Sequence, residues 1–153
     1  MLEALSGWLG RTCFSSDIQR LGWVVPALQS VHILAIAALV GATLSYSLHE
    51  LGLVARDLDA EAVARRYLPF VWWSLPVLLA SGALLITAEP ARSLLNPVFA
   101  LKMALLVCAV VLTLVSRLGS PGTALRKSLA SANLLCWAGV IVAGRLIAYV
   151  EAP

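Results

Sequence analysis

Four long apolar blocks, each bounded by charged residues, occupy positions 21–48, 67–88, 93–116 and 128–150. A transmembrane α-helix needs about 20 residues to cross ~30 Å of hydrocarbon. None of the blocks alternates with period two, and an unclosed set of strands would leave backbone groups unpaired in lipid. The pattern predicts an all-α integral membrane protein, a four-helix bundle with spans over about 22–46, 67–88, 96–117 and 128–150.

Composition excludes the other protein classes. Apolar residues make up 61% of the chain and charged residues 12%, whereas soluble domains carry about 25% charged residues. Such a chain is neither a soluble globule nor a disordered segment, and three cysteines do not make a disulfide framework. The net charge of +3 comes from scattered basic residues, so nucleic-acid binding is not expected. We expect a single membrane domain over 1–153.

The flanking segments predict how the protein sits in the bilayer. Residues 1–20 place Leu2, Leu5, Trp8 and Leu9 at helical spacing, which favours an amphipathic helix at the interface. Basic residues are more numerous in the two loops than on the side of the termini, and cytoplasmic loops carry such an excess. The loop residues are Arg56, Arg65, Arg66, Arg117, Arg126 and Lys127, against Arg11, Arg20 and Arg92. This predicts a multi-pass protein of a bacterial inner membrane with both termini in the periplasm.

Three ionisable residues interrupt the apolar blocks: His32, Lys102 and Arg145. A cationic side chain at mid-membrane costs about 2.5 to 3.5 kcal/mol even on the insertion scale. From the helical rise, His32 lies ~14 Å inward of Trp23, Lys102 ~9 Å inward of Asn96, and Arg145 ~8 Å inward of Val150. All three fall in the outer half, and Gln29 precedes His32 by one turn on the same face. The spacing permits a polar pocket that opens outward.

Each of these residues also has an ordinary structural interpretation. Lys102 and Arg145 are close enough to the outer interface to extend their charged heads into the headgroups. The shorter His32 side chain reaches the headgroups less easily. Its ordinary structural interpretation is a neutral imidazole hydrogen-bonded to Gln29, Ser81 or a backbone carbonyl. The sequence alone leaves both interpretations open.

The functional interpretation begins with His32. Neutral imidazole is a good axial ligand for haem iron, and helix bundles hold such cofactors between facing helices. Two nearby cations suit the propionates of haem b or the carbonyl oxygens of a quinone. Met103, Lys102 or a second copy of His32 could supply another iron ligand. His49 lies ~25 Å further along the helix and is expected to be a solvated loop residue.

Other chemistry is sparse in this sequence. It contains no group of residues at the spacing of metal ligands, no nucleophile with a base, no glycine-rich phosphate-binding loop and no carboxylate pair. Cys108 and Cys136 fall near mid-span and are expected to behave as small apolar residues. Catalysis by this chain on its own is therefore not expected.

Short motifs in all four spans resemble a known family. They are PALQSVH at 26–32, Gly41, Leu51-Gly52, NPVF at 96–99 with Lys102-Met103, and Ala143-Gly144-Arg145. With these motifs the chain resembles an uncharacterised family of small bacterial four-helix membrane proteins, distantly similar to the membrane domain of copper-resistance D proteins. The resemblance implies haem b binding. Ser116 and Arg117 stand where that family often has a histidine, so a second site near the cytoplasmic side is not implied.

Together these observations predict a haem-b-binding electron-transfer or membrane-anchor subunit. His32 is the expected iron ligand, and the expected cofactor-binding residues are His32, Gln29, Lys102, Met103 and Arg145. The expected partners are lipid, a larger membrane redox complex or a second copy of the chain, and a quinone. One alternative is a cofactor-free accessory subunit of a respiratory complex. Another is a small-solute or copper carrier. It is disfavoured because a transport path through the membrane normally shows carboxylates or several sulfur and imidazole ligands, and this sequence shows neither.

Overall fold

The computed structural model describes residues 2–118, 122–147 and 149–150, which form seven helices and no strand. The helices are α1 (Leu2–Gly10), α2 (Cys13–Arg20), α3 (Val24–Glu50), α4 (Ala60–Ala88), α5 (Pro90–Leu94), α6 (Pro97–Leu118) and α7 (Thr123–Leu146). Four of them, α3, α4, α6 and α7, are long and apolar enough to cross a membrane. The all-α prediction and the predicted number of spans are confirmed.

The long helices extend beyond the apolar blocks. α4 begins at Ala60, seven residues before the predicted start of the second span, and contains 29 residues. At 1.5 Å per residue it is ~43 Å long, more than the ~30 Å of hydrocarbon requires. Its first two turns carry Glu61, Arg65 and Arg66, which favour helix while lying outside the apolar block. Hydropathy therefore predicts the membrane span but underestimates the length of the helix.

Successive long helices run in opposite directions, so the bundle has two distinct ends. We call the end where α3 and α6 begin the terminal end, because the first described helix, α1, and the end of the last helix, α7, lie on that side. We call the opposite end, where α3 and α6 end and α4 and α7 begin, the loop end. A contact between His32 and Ser81 near the terminal end, and one between Glu50 and Arg126 at the loop end, fix the alignment of the helices.

Helix contacts define two pairs joined along one side. α3 packs along α4, α6 packs along α7, and α3 meets α7. Leu39, Val71, Ala109 and Trp137 are among the buried residues of the shared core. α6 and α7 approach closely at Gly139, where an added Cβ would lie only 2.9 Å from Leu105 Cδ1. A glycine at this position permits that approach.

Short helices lie at the terminal end. Where the sequence predicts one amphipathic helix over 1–20, the structure has α1 and α2, because Thr12 begins a new helix. Thr12 Oγ1 accepts a hydrogen bond from the Ser15 amide at 3.3 Å, as an N-cap does. Gln19 Nε2 donates to the Ala88 carbonyl at 2.6 Å and ties α2 to the end of α4. α1 contacts α5.

The start of α6 is fixed by Asn96, which is 2% exposed. Its Oδ1 accepts from the Val98 amide at 2.9 Å, and Pro97 follows as the first helical residue. Its Nδ2 donates to the Val150 carbonyl at 2.8 Å. These bonds connect α6 to the chain that follows α7, and so position the terminal-end turns of α6.

Candidate functional site

A cavity of about 470 Å³ lies among the four long helices in the terminal-end half. α3 contributes positions 25, 29, 32, 36 and 39, and α6 contributes 99, 102, 103 and 106. These are helical stripes in which residues three and four apart share one face. Most of the lining is aliphatic, and the cavity has the size typical of cofactor and ligand sites, about 300–1,000 Å³.

His32 lines this cavity and is held by α4. Its Nδ1 lies 2.7 Å from Ser81 Oγ, and that hydroxyl lies 2.6 Å from the Val77 carbonyl oxygen. Ser81 has one proton, which it donates to Val77, so its oxygen accepts a hydrogen bond from His32 Nδ1. This arrangement assigns the imidazole proton to Nδ1. Nε2 retains its lone pair and has no hydrogen-bond partner among the described residues.

Lys102 brings a positive charge to the same level of the cavity. Its Nζ and Cε would each lie 3.7 Å from a Cβ added at Gly144, so the lysine crosses the face of α7 at a glycine. The described residues include no carboxylate within ion-pair distance of Nζ. A half-buried ammonium group in this setting favours an anionic or strongly polar partner.

The other predicted site residues divide between two places. Gln29 and Met103 line the cavity with His32 and Lys102. Arg145 does not line it: its side chain is exposed, and its Nη2 donates to the Tyr149 hydroxyl at 2.9 Å while its guanidinium lies over the Tyr149 ring. The structure therefore brings four of the five predicted residues together and leaves Arg145 at the surface.

Sequence reasoning missed Trp137, which lies at the floor of the cavity. The residue is 3% exposed, and its Nε1 donor has no acceptor among the described residues. It precedes Gly144 by seven residues, which places it ~10 Å further toward the loop end. A tryptophan at mid-span, away from the interfaces where this residue is enriched, was the available signal. Glu89, Ser93 and Phe99 also line the cavity and were missed.

Two further predictions concern residues outside the cavity. His49 is half-buried at the loop end, with Nδ1 3.2 Å from the Ala55 carbonyl oxygen, and so is less solvated than expected. Cys108 and Cys136, expected to behave as small apolar residues, face each other between α6 and α7 with their sulfurs 3.7 Å apart. Within the described part of the chain, no three His, Cys, Asp or Glu side chains come together as a metal cluster would require.

Comparison with known families gives one match, to a family of unknown function, DUF6644, over residues 8–150. The chain belongs to this family. The match covers nearly the whole sequence, including all four long helices and every lining residue of the cavity. No curated protein and no solved structure matches the chain. The expected membership of an uncharacterised family is confirmed, while the resemblance to copper-resistance D proteins and haem binding stay predictions.

Proposed function

We propose that this member of the DUF6644 family is a membrane electron-transfer or anchor subunit that binds haem b in the terminal-end cavity, where His32 would be an iron ligand. The observation that carries the proposal is the hydrogen bond from His32 Nδ1 to Ser81. Metal-bound histidines donate their second ring N–H to a fixed acceptor, which orients the ring and selects the tautomer. Ser81 supplies that acceptor, and Nε2 is left for the iron.

The rest of the lining fits such a cofactor at three points. The aliphatic side chains would surround an apolar macrocycle, Lys102 would pair with a propionate, and the Met103 thioether on the opposite helix would be available as a further iron ligand. Pairing of Arg145 with the other propionate would require its guanidinium to leave Tyr149, so Lys102 is the cation that we assign to the site. Bound haem supplies one-electron chemistry, and the chain's own residues hold it, exclude water and balance its charge.

An absorption spectrum tests the proposal. Protein purified from haem-replete cells should show a Soret band that sharpens on reduction with dithionite. His32→Ala should lose the band, and the matched variant His49→Ala should keep it, because His49 bonds to Ala55 at the other end of α3. A folded, colourless wild-type protein would contradict haem binding and would favour the cofactor-free accessory subunit.

A lipid-soluble quinone is the second candidate occupant, and Trp137 favours it. A quinone carries an oxygen at each end of its ring. In the cavity one oxygen would accept from Trp137 Nε1, and the other would lie toward Gln29 and Lys102. Haem b with its propionates at Lys102 presents only apolar groups at its opposite edge, which leaves the Trp137 donor unpaired. Quinone-dependent quenching of Trp137 fluorescence in a colourless preparation would support this candidate.

The membrane orientation belongs to the same proposal. The excess of basic residues in the loops 51–66 and 117–127 supports a loop end in the bacterial cytoplasm and a cavity in the periplasmic half of the inner membrane. An electron donor or acceptor would then approach the cavity from the periplasmic side or from within the bilayer.

A further inference from the structure

Buried polar side chains in the long helices concentrate on the loop-end side of the cavity. Seven buried polar or charged residues occur in the described parts of α3, α4, α6 and α7. Ser81 contacts His32, and the other six lie nearer the loop end: Thr43, Ser47, Glu50, Ser74, Thr113 and Asn133. Polar residues inside a membrane bundle are costly, and they commonly mark ion paths and proton relays.

Several polar atoms in this region have no hydrogen-bond partner among the described residues. Asn133 Oδ1 is an unpaired acceptor and Trp137 Nε1 an unpaired donor, both buried. The two residues are four apart on α7 and so share one face of it. Because an unpaired buried polar group is destabilising, an orphan donor beside an orphan acceptor favours a bridging water.

A second unsatisfied pair lies at the loop end. Glu50 Oε2 and Arg126 Nε are 2.8 Å apart and attract each other as ions, but their alignment is not that of a hydrogen bond. The Glu50 side chain is only 3% exposed, whereas Arg126 is 40% exposed. The carboxylate is therefore inside the bundle, and its partner reaches the loop-end surface.

Hydroxyl groups occupy the interval between these pairs. Thr43 Oγ1 donates to the Leu39 carbonyl at 3.0 Å, and Thr113 Oγ1 donates to Ala109 at 2.8 Å while accepting from Asn133 Nδ2 at 3.1 Å. Both hydroxyls can accept further hydrogen bonds. Along α7, Asn133 lies ~10 Å from Arg126, and Trp137 lies ~6 Å beyond Asn133. A few water molecules would therefore span the distance between successive polar groups.

We propose that Glu50, Thr43, Thr113 and Asn133 form a hydrated polar seam that conducts protons between the loop-end surface and the floor of the cavity at Trp137. A proton enters from loop-side water at Glu50, passes along waters and hydroxyls, and leaves at the floor to water in the cavity or to an acceptor atom bound there, such as a quinone oxygen. No covalent bond between heavy atoms changes and no electron moves. The proposal goes beyond the proposed function, because it assigns a proton path and a direction of supply from the loop end to the floor of the cavity.

Hydration of the seam is tested by X-ray hydroxyl-radical labelling of the purified protein, in which ordered internal waters generate the label. Trp137 should be oxidised in the wild type, about tenfold less in Asn133→Leu, which removes the acceptor of the bridging water, and also less in Thr43→Val, which removes a hydroxyl of the seam. Trp8 on α1 is the internal control, and melting curves confirm that each variant folds. Equal labelling of Trp137 in all three proteins, or none in the wild type, would overturn the hydrated seam.

Proton conduction is tested in liposomes that contain the whole protein and an internal pH-sensitive dye, with valinomycin and a potassium gradient as the driving force. Glu50→Gln should slow proton entry about tenfold, because the amide cannot exchange a proton. Glu61→Gln is the matched control, since Glu61 pairs with Arg117 outside the seam. Wild-type flux equal to that of protein-free liposomes, or equal loss in both variants, contradicts the path. Neither test reads haem, so a colourless protein contradicts haem binding without deciding the seam.

Discussion

In the terminal-end half of the bundle, His32 and Lys102 face an apolar cavity, whereas in the loop-end half polar side chains face one another. His32 has a single protein partner and Lys102 has no carboxylate partner in the described chain. At the loop end, Glu50 pairs with Arg126 and Glu61 pairs with Arg117 through two bonds of 2.6 and 3.0 Å. The same four helices thus pair polar residues with one another at one end and present them to a ligand cavity at the other.

The largest expected difference between the two ends is their exposure to opposite sides of the membrane. Tags at Met1 and Pro153 should react with a membrane-impermeant reagent in intact spheroplasts, and a tag between Gly119 and Gly122 should react only after lysis. The expectation rests on the excess of basic residues at the loop end. Reaction of the loop tag in intact spheroplasts would reverse the assignment of the two ends.

Stability should depend more on the buried ion pair than on the exposed one. Arg126→Ala leaves the Glu50 carboxylate buried without its partner, and we expect a loss of about 3 kcal/mol in the free energy of unfolding. Arg117→Ala breaks a pair whose members are 36% and 47% exposed, and should cost under about 1 kcal/mol. Denaturant titrations in detergent measure both changes. Equal losses would mean that the loop-end interior is already accessible to bulk solvent.

The sequence predicted more of the architecture than of the site. Hydropathy sufficed for four spans because each apolar block is long enough by itself, and helical spacing sufficed to place Gln29 beside His32. The sequence could not place the Arg145 side chain, since a residue in the last turn of a helix can face either the bundle or a nearby aromatic such as Tyr149. Trp137 was missed because its role depends on contacts among helices that are distant in sequence.

Lys102 and Arg145 should affect haem retention unequally, because only Lys102 lines the cavity. Lys102→Met should weaken haem retention about tenfold, or ~1.4 kcal/mol, because it removes the cation that lines the cavity. Arg145→Lys should leave retention unchanged, since Arg145 contacts Tyr149 instead. Haem titration of the two variants gives the comparison. Stronger weakening by Arg145→Lys would show that its guanidinium turns into the site when the cofactor binds.

A smaller effect is expected from the cysteine pair between the two halves. Oxidation with copper–phenanthroline should join Cys108 to Cys136, with loss of two thiols. Their sulfurs are 3.7 Å apart, so a small side-chain movement would bring them to the ~2 Å of a disulfide bond. Haem retention should be unaffected, since neither cysteine lines the cavity. Thiol counting after oxidation checks the link, and Cys108→Ser is the control. Because Cys13 is a third free thiol, three reactive thiols persisting under these conditions would contradict the close packing of α6 on α7.

The most direct test of the proposed site is the reduced-minus-oxidised difference spectrum of the wild-type protein beside His32→Ala and Trp137→Phe. Ligation of haem b by His32 predicts a Soret and α-band signal in the wild type and in Trp137→Phe, and its loss in His32→Ala. A spectrum without these bands in folded wild-type protein, or bands that survive His32→Ala undiminished, would contradict the assignment of His32 Nε2 as the iron ligand.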